Sequence, residues 1–242
     1  MIKIIPFTEL PNLLTAGISN LPFIFVDTCA LLDLVRLPFR AKDARQAART
    51  IEAARRFLQG ACATPASAHL IAAERVEIEW KDNIAGVAAE YEGHVARMEN
   101  DIDRFLSCAS ALGLPLPPLE RTGPLLTYDL QSLAQDLLNA SVGIVEERDI
   151  QVKAFHRESR GIGPAQKGKK CLGDCVVAET VLHSAEALRG VGFQGTLVFL
   201  TANTKDFSNG AGGLHQDLAA DFLRLRIEFC TQWQHAAYSA GV

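Results

Sequence analysis

Acidic residues stand at the ends of several apolar segments of this chain. Asp27 follows the apolar run 23–26. Asp174 opens an apolar helical segment, and Asp206 comes shortly after the run 196–201. In an open parallel sheet, ligands bind just beyond the carboxyl ends of the strands. Carboxylates gathered there repel one another, and a divalent cation is the usual reason for tolerating that repulsion. The sequence therefore predicts that Asp27 and Asp174 lie close enough to share one cation or one bridging water.

The elements that must position these acids alternate between strands and helices. Such alternation is typical of a parallel sheet with helices on both of its faces. It predicts an α/β fold with three layers, α/β/α, around a central parallel sheet. The predicted strands are 23–27, 196–201 and 226–230, and the predicted helices are 43–59, about 67–80, 174–189 and about 214–223.

The middle of the chain has a different, helical pattern. From Ile84 to Leu112 the apolar residues recur at alternating spacings of four and three, which is the seam of a helix. The proline-rich segment 114–118 ends this helix, because proline cannot continue one. Two further helices are predicted near 127–142 and 144–158.

These patterns predict how the chain is divided. Residues 81–158 are expected to form an all-helical insertion that contributes no strand to the sheet. Residues 1–80 and 159–242 are expected to form one α/β domain. We expect the insertion to pack beside the acidic cleft and narrow access to it. A position away from the cleft would instead indicate a role in homodimer formation or partner binding.

Charge is distributed unevenly along the 242 residues. The net charge of −4 argues against a protein that coats nucleic acid in general. Residues 36–56 nevertheless carry seven basic and two acidic side chains, and residues 151–170 carry six basic and one acidic, so each segment has a net charge of +5. Local basic surface favours binding of a phosphate polymer at one face. For 36–56, a solvated helix face is an equal alternative. The residues predicted to contact nucleic acid are Arg160, Lys167, Lys169 and Lys170.

The cysteines and the apolar segments bear on location. The six cysteines show no C-x-x-C spacing, which favours free thiols in a reducing cytoplasm over disulfides or a zinc site. Pro6 and Glu9 interrupt the first residues before any long apolar stretch, so no signal peptide is expected. No run approaches the ~18 apolar residues of a membrane span. We therefore expect a cytoplasmic protein without membrane contact.

Three segments carry a resemblance to a known family. They are 25–32 (FVDTCALL), 169–179 (KKCLGDCVVAE) and 199–207 (FLTANTKDF). Together they resemble PIN-domain nucleases, especially the larger bacterial PIN-like proteins with a helical insertion. The resemblance covers roughly 22–75 and 165–230. It implies a PIN-like fold and a ribonuclease that binds Mg²⁺ or Mn²⁺ and hydrolyses phosphodiester bonds. The implied partner is RNA, single-stranded or structured.

The resemblance assigns roles to individual residues. Asp27 matches the acid after the first strand, and Thr28 matches the hydroxyl that commonly follows it. Asp174 matches the acid at the start of the helix that leads to the later strand. For the acid of the second element the match is Glu74, with Glu77 as the rival.

One position departs from the family pattern. The usual T-x-D acid after the later strand is here Thr201-Ala202-Asn203. Asn203 still offers a neutral oxygen to a cation, and Asp206 either supplies the missing charge or caps the turn. The predicted catalytic residues are thus Asp27, Glu74, Asp174 and Asp206, the predicted metal ligands are Asp27, Asp174, Asp206 and Asn203, and Glu179 is a secondary candidate on the same helix as Asp174.

Two other functional classes compete with the nuclease. A phosphatase of the haloacid-dehalogenase type also begins with an Asp after its first strand, but it needs a second Asp two residues on, where this chain has Cys29. A non-catalytic RNA- or partner-binding module on a PIN-like fold stays open because of Asn203. A toxin-type ribonuclease with an antitoxin partner is a further expectation, although the chain is longer than the small PIN toxins.

Overall fold

A computed structural model of the chain describes residues 2–16, 20–115, 123–165, 171–209 and 213–242. Within these ranges six strands form one sheet in the order β1-β4-β3-β2-β5-β6, and every neighbouring pair is parallel. The predicted α/β class with a central parallel sheet is therefore confirmed. The strands are β1 Lys3–Ile5, β2 Phe23–Val26, β3 His69–Ala73, β4 Val142–Ile144, β5 Leu197–Leu200 and β6 Ile227–Cys230.

Helices connect the strands and pack in two groups. A 3₁₀ helix spans Phe7–Ala16, and the α-helices are α1 Thr28–Arg40, α2 Ala44–Cys62, α3 Glu74–Ala111, α4 Gly123–Ala140, α5 Arg148–Arg160, α6 Leu172–Gly190, α7 Thr204–Phe207, α8 Gln216–Leu225 and α9 Trp233–Ala240. Helices α1, α2, α3, α4 and α9 form one connected group, in which α9 packs on α2, while α5, α8 and the 3₁₀ helix pack on α6, which α3 also contacts. This grouping is compatible with three layers. Among the helices described, none is both long and apolar enough to cross a membrane.

The centre of the sheet is apolar on both faces. All four residues of β2 and all four of β5 are buried. Such continuous apolar runs are typical of parallel strands that are covered on both sides. At the same end of the sheet, the Trp233 indole N–H donates to the Ala30 carbonyl at 3.1 Å and ties α9 to α1. The ends of β2 and β5 are therefore buried, and the helix after β6 is joined to the helix after β2.

The topology of the sheet fixes where a site can form. From β2 the chain passes to β3 and then β4 on one side, and it later returns to place β5 and β6 on the other side of β2. Val26 and Leu200, the last residues of β2 and β5, are register partners. The strand order thus reverses between β2 and β5, and in open α/β sheets ligands bind in the crevice at such a switch point.

The predicted helix over about 67–80 is wrong in its first half. Residues His69–Ala73 form β3, which pairs with β2 and β4, and α3 begins only at Glu74. A short apolar run cannot be assigned to helix or strand by periodicity alone. Residues 69–73 form a strand because they pair with β2 on one edge and with β4 on the other.

The prediction that residues 81–158 contribute no strand is also wrong. Val142–Ile144 form β4, which lies between β1 and β3. Three residues are too few to produce a readable pattern. Gly143 fits this place because a Cβ atom there would lie 2.6 Å from the Cδ1 atom of Ile2. The neighbouring edge strand β1 and the final helix α9 were not predicted either.

Candidate active site

Asp27 lies at the carboxyl end of β2, directly before α1. Its carboxylate is buried, and the Thr201 hydroxyl donates a 2.5 Å hydrogen bond to its Oδ2 atom. Burial raises the pKa of Asp27, while the Thr201 hydroxyl and the backbone N–H groups that begin α1 oppose this rise. An acid that is buried here without a cationic side chain as its hydrogen-bond partner is costly for the fold, and such residues are candidates for function.

The segment after β5 connects Asp27 to Asp174. The buried Thr201 hydroxyl also accepts the Asn203 backbone N–H at 3.0 Å. The Asn203 side-chain amide donates to Oδ1 of Asp174 at 3.0 Å. A continuous chain of hydrogen bonds therefore runs from the end of β2 through the β5 loop to the first turn of α6.

The titration of Asp174 is also strongly perturbed. Its pKa is raised to about 7, first by burial and then by the negative charges of Asp27, Asp206 and Glu79, while the Asn203 hydrogen bond opposes the rise. Because the charges of Asp27, Asp206 and Glu79 raise this pKa, each of these three acids lies within electrostatic reach of Asp174. The structure thus brings Asp27, Asp174 and Asp206 together at one edge of the sheet.

Glu79 is the member that the sequence interpretation missed. It lies on the second turn of α3 and accepts the Thr28 hydroxyl at 2.8 Å. Burial raises the pKa of Glu79, the Thr28 hydrogen bond lowers it, and Asp27 raises it further. A Cβ atom on Gly173 would lie 2.6 Å from Oε1 of Glu79, so this carboxylate lies against Gly173, the residue before Asp174, and a side chain there would require Glu79 to move.

The structure places Glu74 and Glu77 outside this cluster. The Glu74 carboxylate accepts the backbone N–H of Glu146 at 3.0 Å, in the loop after β4. Glu77 pairs with Lys81 at 2.8 Å on the same helix. The acid that α3 contributes to the cluster is therefore Glu79. It lies five residues after Glu74 and about 140° farther around the helix axis.

Glu179 is engaged elsewhere, in a buried ion pair. Its Oε1 accepts Arg157 Nε at 2.8 Å and lies 2.7 Å from Arg157 Nη2, and Arg157 also donates to the Gly163 carbonyl at 2.6 Å. The secondary candidate thus joins α6 to α5 and its following loop. Arg160 is exposed at the end of α5, whereas Lys167, Lys169 and Lys170 lie outside the described residues.

The same negative field acts on Cys29, one residue beyond Thr28. The pKa of its thiol is raised by burial and then by Asp27, Asp174 and Glu79. The reactive form of a cysteine is the thiolate, which this environment disfavours. The side chains that can do chemistry here are therefore the carboxylates.

The oxygen atoms of the acid cluster are the type of ligand that a hard divalent cation prefers. Asp27, Glu79, Asp174 and Asp206 offer only oxygens, and the pKa values of the first three are raised, so positive charge would relieve their repulsion. In the described part of the chain, however, no three His, Cys, Asp or Glu side chains are arranged to hold a metal ion. Thr201, Thr28 and Asn203 each hydrogen-bond one of the carboxylates instead. Metal binding would require these oxygens to turn toward a common point.

The raised pKa of Asp174 predicts a pH-dependent stability. The folded-state pKa of about 7 lies above the ordinary 3.8, so folding favours the protonated acid. Its stabilisation is complete below pH ~4 and is lost as the pH rises to ~7. Over this pH range the wild type should lose about 2 kcal/mol of folding stability through Asp174, which is half the loss expected for a fully buried group because Asp174 is partly exposed. Asp174→Asn should not show this loss.

Urea unfolding between pH 4 and 7.5, in EDTA, measures this effect. The free energy of unfolding should fall more steeply with pH in the wild type than in Asp174→Asn. The exposed α4 residue Asp129 provides the control, because Asp129→Asn should leave the wild-type slope unchanged. Parallel curves for wild type and Asp174→Asn would show that the acid cluster does not perturb this group.

The chain matches no protein-family model, and no curated protein or solved structure matches it.

Proposed function

We propose that this protein is a Mg²⁺- or Mn²⁺-dependent endoribonuclease on a PIN-like fold. The observation that carries the proposal is the acid cluster at the switch point between β2 and β5, where burial and then the negative charges of its neighbours raise the pKa of Asp174 to about 7. Acids with perturbed pKa values at a switch point of the sheet are candidates for a catalytic site. The resemblance of the three segments around Asp27, Asp174 and Asn203 to PIN-domain nucleases supports the same activity.

The proposed roles follow from the contacts. Asp27, Glu79 and Asp174 would hold the cation, with Asp206 adding charge to the cluster. When bound, Mg²⁺ or Mn²⁺ would polarise the phosphodiester and activate the attacking water. Thr201 and Thr28 orient Asp27 and Glu79 through their hydroxyl hydrogen bonds. Asn203, in the place of the family's acid, positions Asp174 through its amide.

A binding module on the same fold is the second candidate function. The observation that favours it is that each of three acids already accepts a hydrogen bond from a neighbouring hydroxyl or amide. Such a module would bind RNA through its basic segments and would not need a cation. Calorimetric titration with Mn²⁺ separates the two functions, because only the nuclease should bind the ion at the acid cluster.

Cleavage of a mixed RNA pool is the experiment that tests the proposed activity. Full-length protein is incubated with Mn²⁺, Mg²⁺ or EDTA, and the products are resolved on a denaturing gel. We expect cleavage with either metal and none with EDTA. Cleavage that persists in EDTA would rule out a metal-dependent mechanism, and RNA binding without cleavage under every condition would favour the binding module.

The basic segment 151–170 is proposed to hold the flanking phosphates of the RNA. Lys169→Ala with Lys170→Ala should weaken binding of single-stranded RNA and reduce the slope of log K against log[salt] by about 1.4, or roughly 0.7 for each lost phosphate contact. Mn²⁺ binding should be unchanged. Lys169→Arg with Lys170→Arg keeps both charges and should preserve the wild-type slope. An unchanged slope in the double alanine variant would remove these lysines from the interface.

The proposed location is the cytoplasm. Cys29, Cys62, Cys108, Cys171, Cys175 and Cys230 are all free thiols, which fits a reducing compartment. RNA, the proposed substrate, is present there.

A further inference from the structure

A cavity opens at the same end of the sheet as the acids. It has a volume of about 230 Å³ and lies between α1, α2 and the loops that follow β5 and β6. Leu200 and Ala202 form part of its wall. Ala202 stands between Thr201, which bonds Asp27, and Asn203, which bonds Asp174. The cavity and the acid cluster are therefore two sides of one loop.

The lining of this cavity combines an apolar wall with polar groups at its edge. Ala30, Leu34 and Trp233 supply apolar surface. Asp33 also lines it and is bonded to Arg40 at 2.7 Å in a half-exposed pair. Apolar faces with a few placed donors and acceptors are characteristic of sites for small organic groups.

The polar groups offer both donors and acceptors to such a group. Gln46 accepts the Lys42 backbone N–H through its side-chain oxygen, and Gln232 accepts the Gln234 amide through its own. Each of these two residues can therefore donate a hydrogen bond to a bound group through its side-chain amide nitrogen. The Asp33 carboxylate supplies an acceptor. A nucleobase presents the complementary combination, an apolar face together with an edge of donors and acceptors.

The size of the cavity limits its occupant. At about 230 Å³ it is smaller than the ~300–1,000 Å³ of pockets for drug-sized ligands, so it takes one ring-sized group and not a whole nucleotide. A base that inserts into a pocket of this size cannot at the same time remain stacked and paired in a duplex. The geometry therefore selects an unpaired nucleotide.

We propose that this pocket receives the base of a nucleotide next to the scissile phosphate, so that the substrate is RNA that is single-stranded at the cleavage position. This inference rests on the proposed nuclease function and adds the substrate class to it. The acids act on the phosphate, and the pocket on the other side of the 201–203 loop holds the neighbouring base.

An abasic scan in EDTA tests the pocket without requiring cleavage. A labelled single-stranded oligoribonucleotide, its duplex, and a series with one abasic position each are titrated with full-length protein by fluorescence anisotropy. Loss of one stacked base weakens binding by about tenfold or more. We expect that loss at one position of the series, and weaker binding of the duplex than of the single strand.

Two variants locate the effect in the pocket. Gln46→Phe and Gln232→Phe each place a ring in the cavity, and both should bind intact and abasic strands equally. Gln59→Phe is the matched control, because Gln59 is an exposed glutamine farther along α2 and does not line this cavity. It should retain the wild-type preference. Melting temperatures of all three variants establish that they are folded.

The outcomes separate this inference from the proposed function. Base-dependent binding that both pocket variants abolish supports the pocket even if no cleavage is found. Equal binding of single strand, duplex and all abasic strands overturns the pocket, and so does a preference that Gln46→Phe and Gln232→Phe leave intact. In those cases, metal-dependent cleavage would still support the proposed nuclease function, without a base-binding pocket.

Discussion

Asp27→Asn should reduce RNA cleavage by about 10²- to 10³-fold, the usual cost of removing one group that stabilises charge in a transition state. The substitution keeps the shape of the side chain and its ability to accept the Thr201 hydrogen bond. It removes one negative charge from the proposed cation ligands, and hard cations depend on ligand charge. Cleavage of a defined RNA with Mn²⁺, followed as initial rate, measures the effect.

The same variant should remain folded. Because burial raises the pKa of Asp27, the ionised carboxylate costs folding free energy at neutral pH, and a neutral amide removes that cost. The free energy of unfolding at pH 7 should therefore be equal to or greater than that of the wild type. Asp129→Asn serves again as the control and should cleave normally. A folded Asp27→Asn protein with wild-type activity would remove Asp27 from the catalytic centre.

Glu79→Gln should lower cleavage by about 10²-fold, whereas Glu74→Gln should change it by less than about threefold. The two glutamates lie on the same helix, yet Glu79 accepts the Thr28 hydroxyl beside Asp27, and Glu74 accepts the backbone N–H of Glu146. Glutamine keeps a carbonyl oxygen for either hydrogen bond and removes only the charge. The pair therefore compares charge at the cluster with charge outside it.

Affinity for Mn²⁺ gives an independent measure of the same comparison. Calorimetric titration should show weaker binding in Glu79→Gln and unchanged binding in Glu74→Gln. The opposite ranking, with Glu74→Gln inactive and Glu79→Gln active, would mean that the sequence resemblance identifies the acid correctly and that the Glu79 position in the cluster has no catalytic role.

The acids at the ends of β2 and β5 could be placed from the sequence because their strands are buried on both faces. Phe23–Val26 and Leu197–Leu200 are continuous apolar runs, and such runs end at the carboxyl edge of a parallel sheet. Asp27 and the loop through Asn203 follow directly. The helix that begins before Asp174 is long and apolar, so its start was readable as well.

Glu79 could not be identified because only the packing of α3 in the folded chain brings it to the Thr28 hydroxyl, and the strand before it, β3, was not recognised either. His69–Ala73 contains two alanines and no alternation, and only its pairing with β2 and β4 makes it a strand. The sequence resemblance selects Glu74 by its match to the family's acid, and the angle between Glu74 and Glu79 is the same wherever the helix begins. The three residues of β4 depend in the same way on their neighbours, since Gly143 fits between Ile2 and the sheet only in the folded chain. Short elements whose structure depends on pairing are the part that local pattern does not determine.

A crystal structure of the full chain grown with Mn²⁺ tests the central claim most directly, because the ion has an anomalous signal that identifies it. The proposed function predicts an anomalous peak ligated by carboxylate oxygens of Asp27, Glu79 and Asp174 at the switch point between β2 and β5. A peak bound elsewhere, or none among these three acids at a Mn²⁺ concentration that supports RNA cleavage, would contradict it.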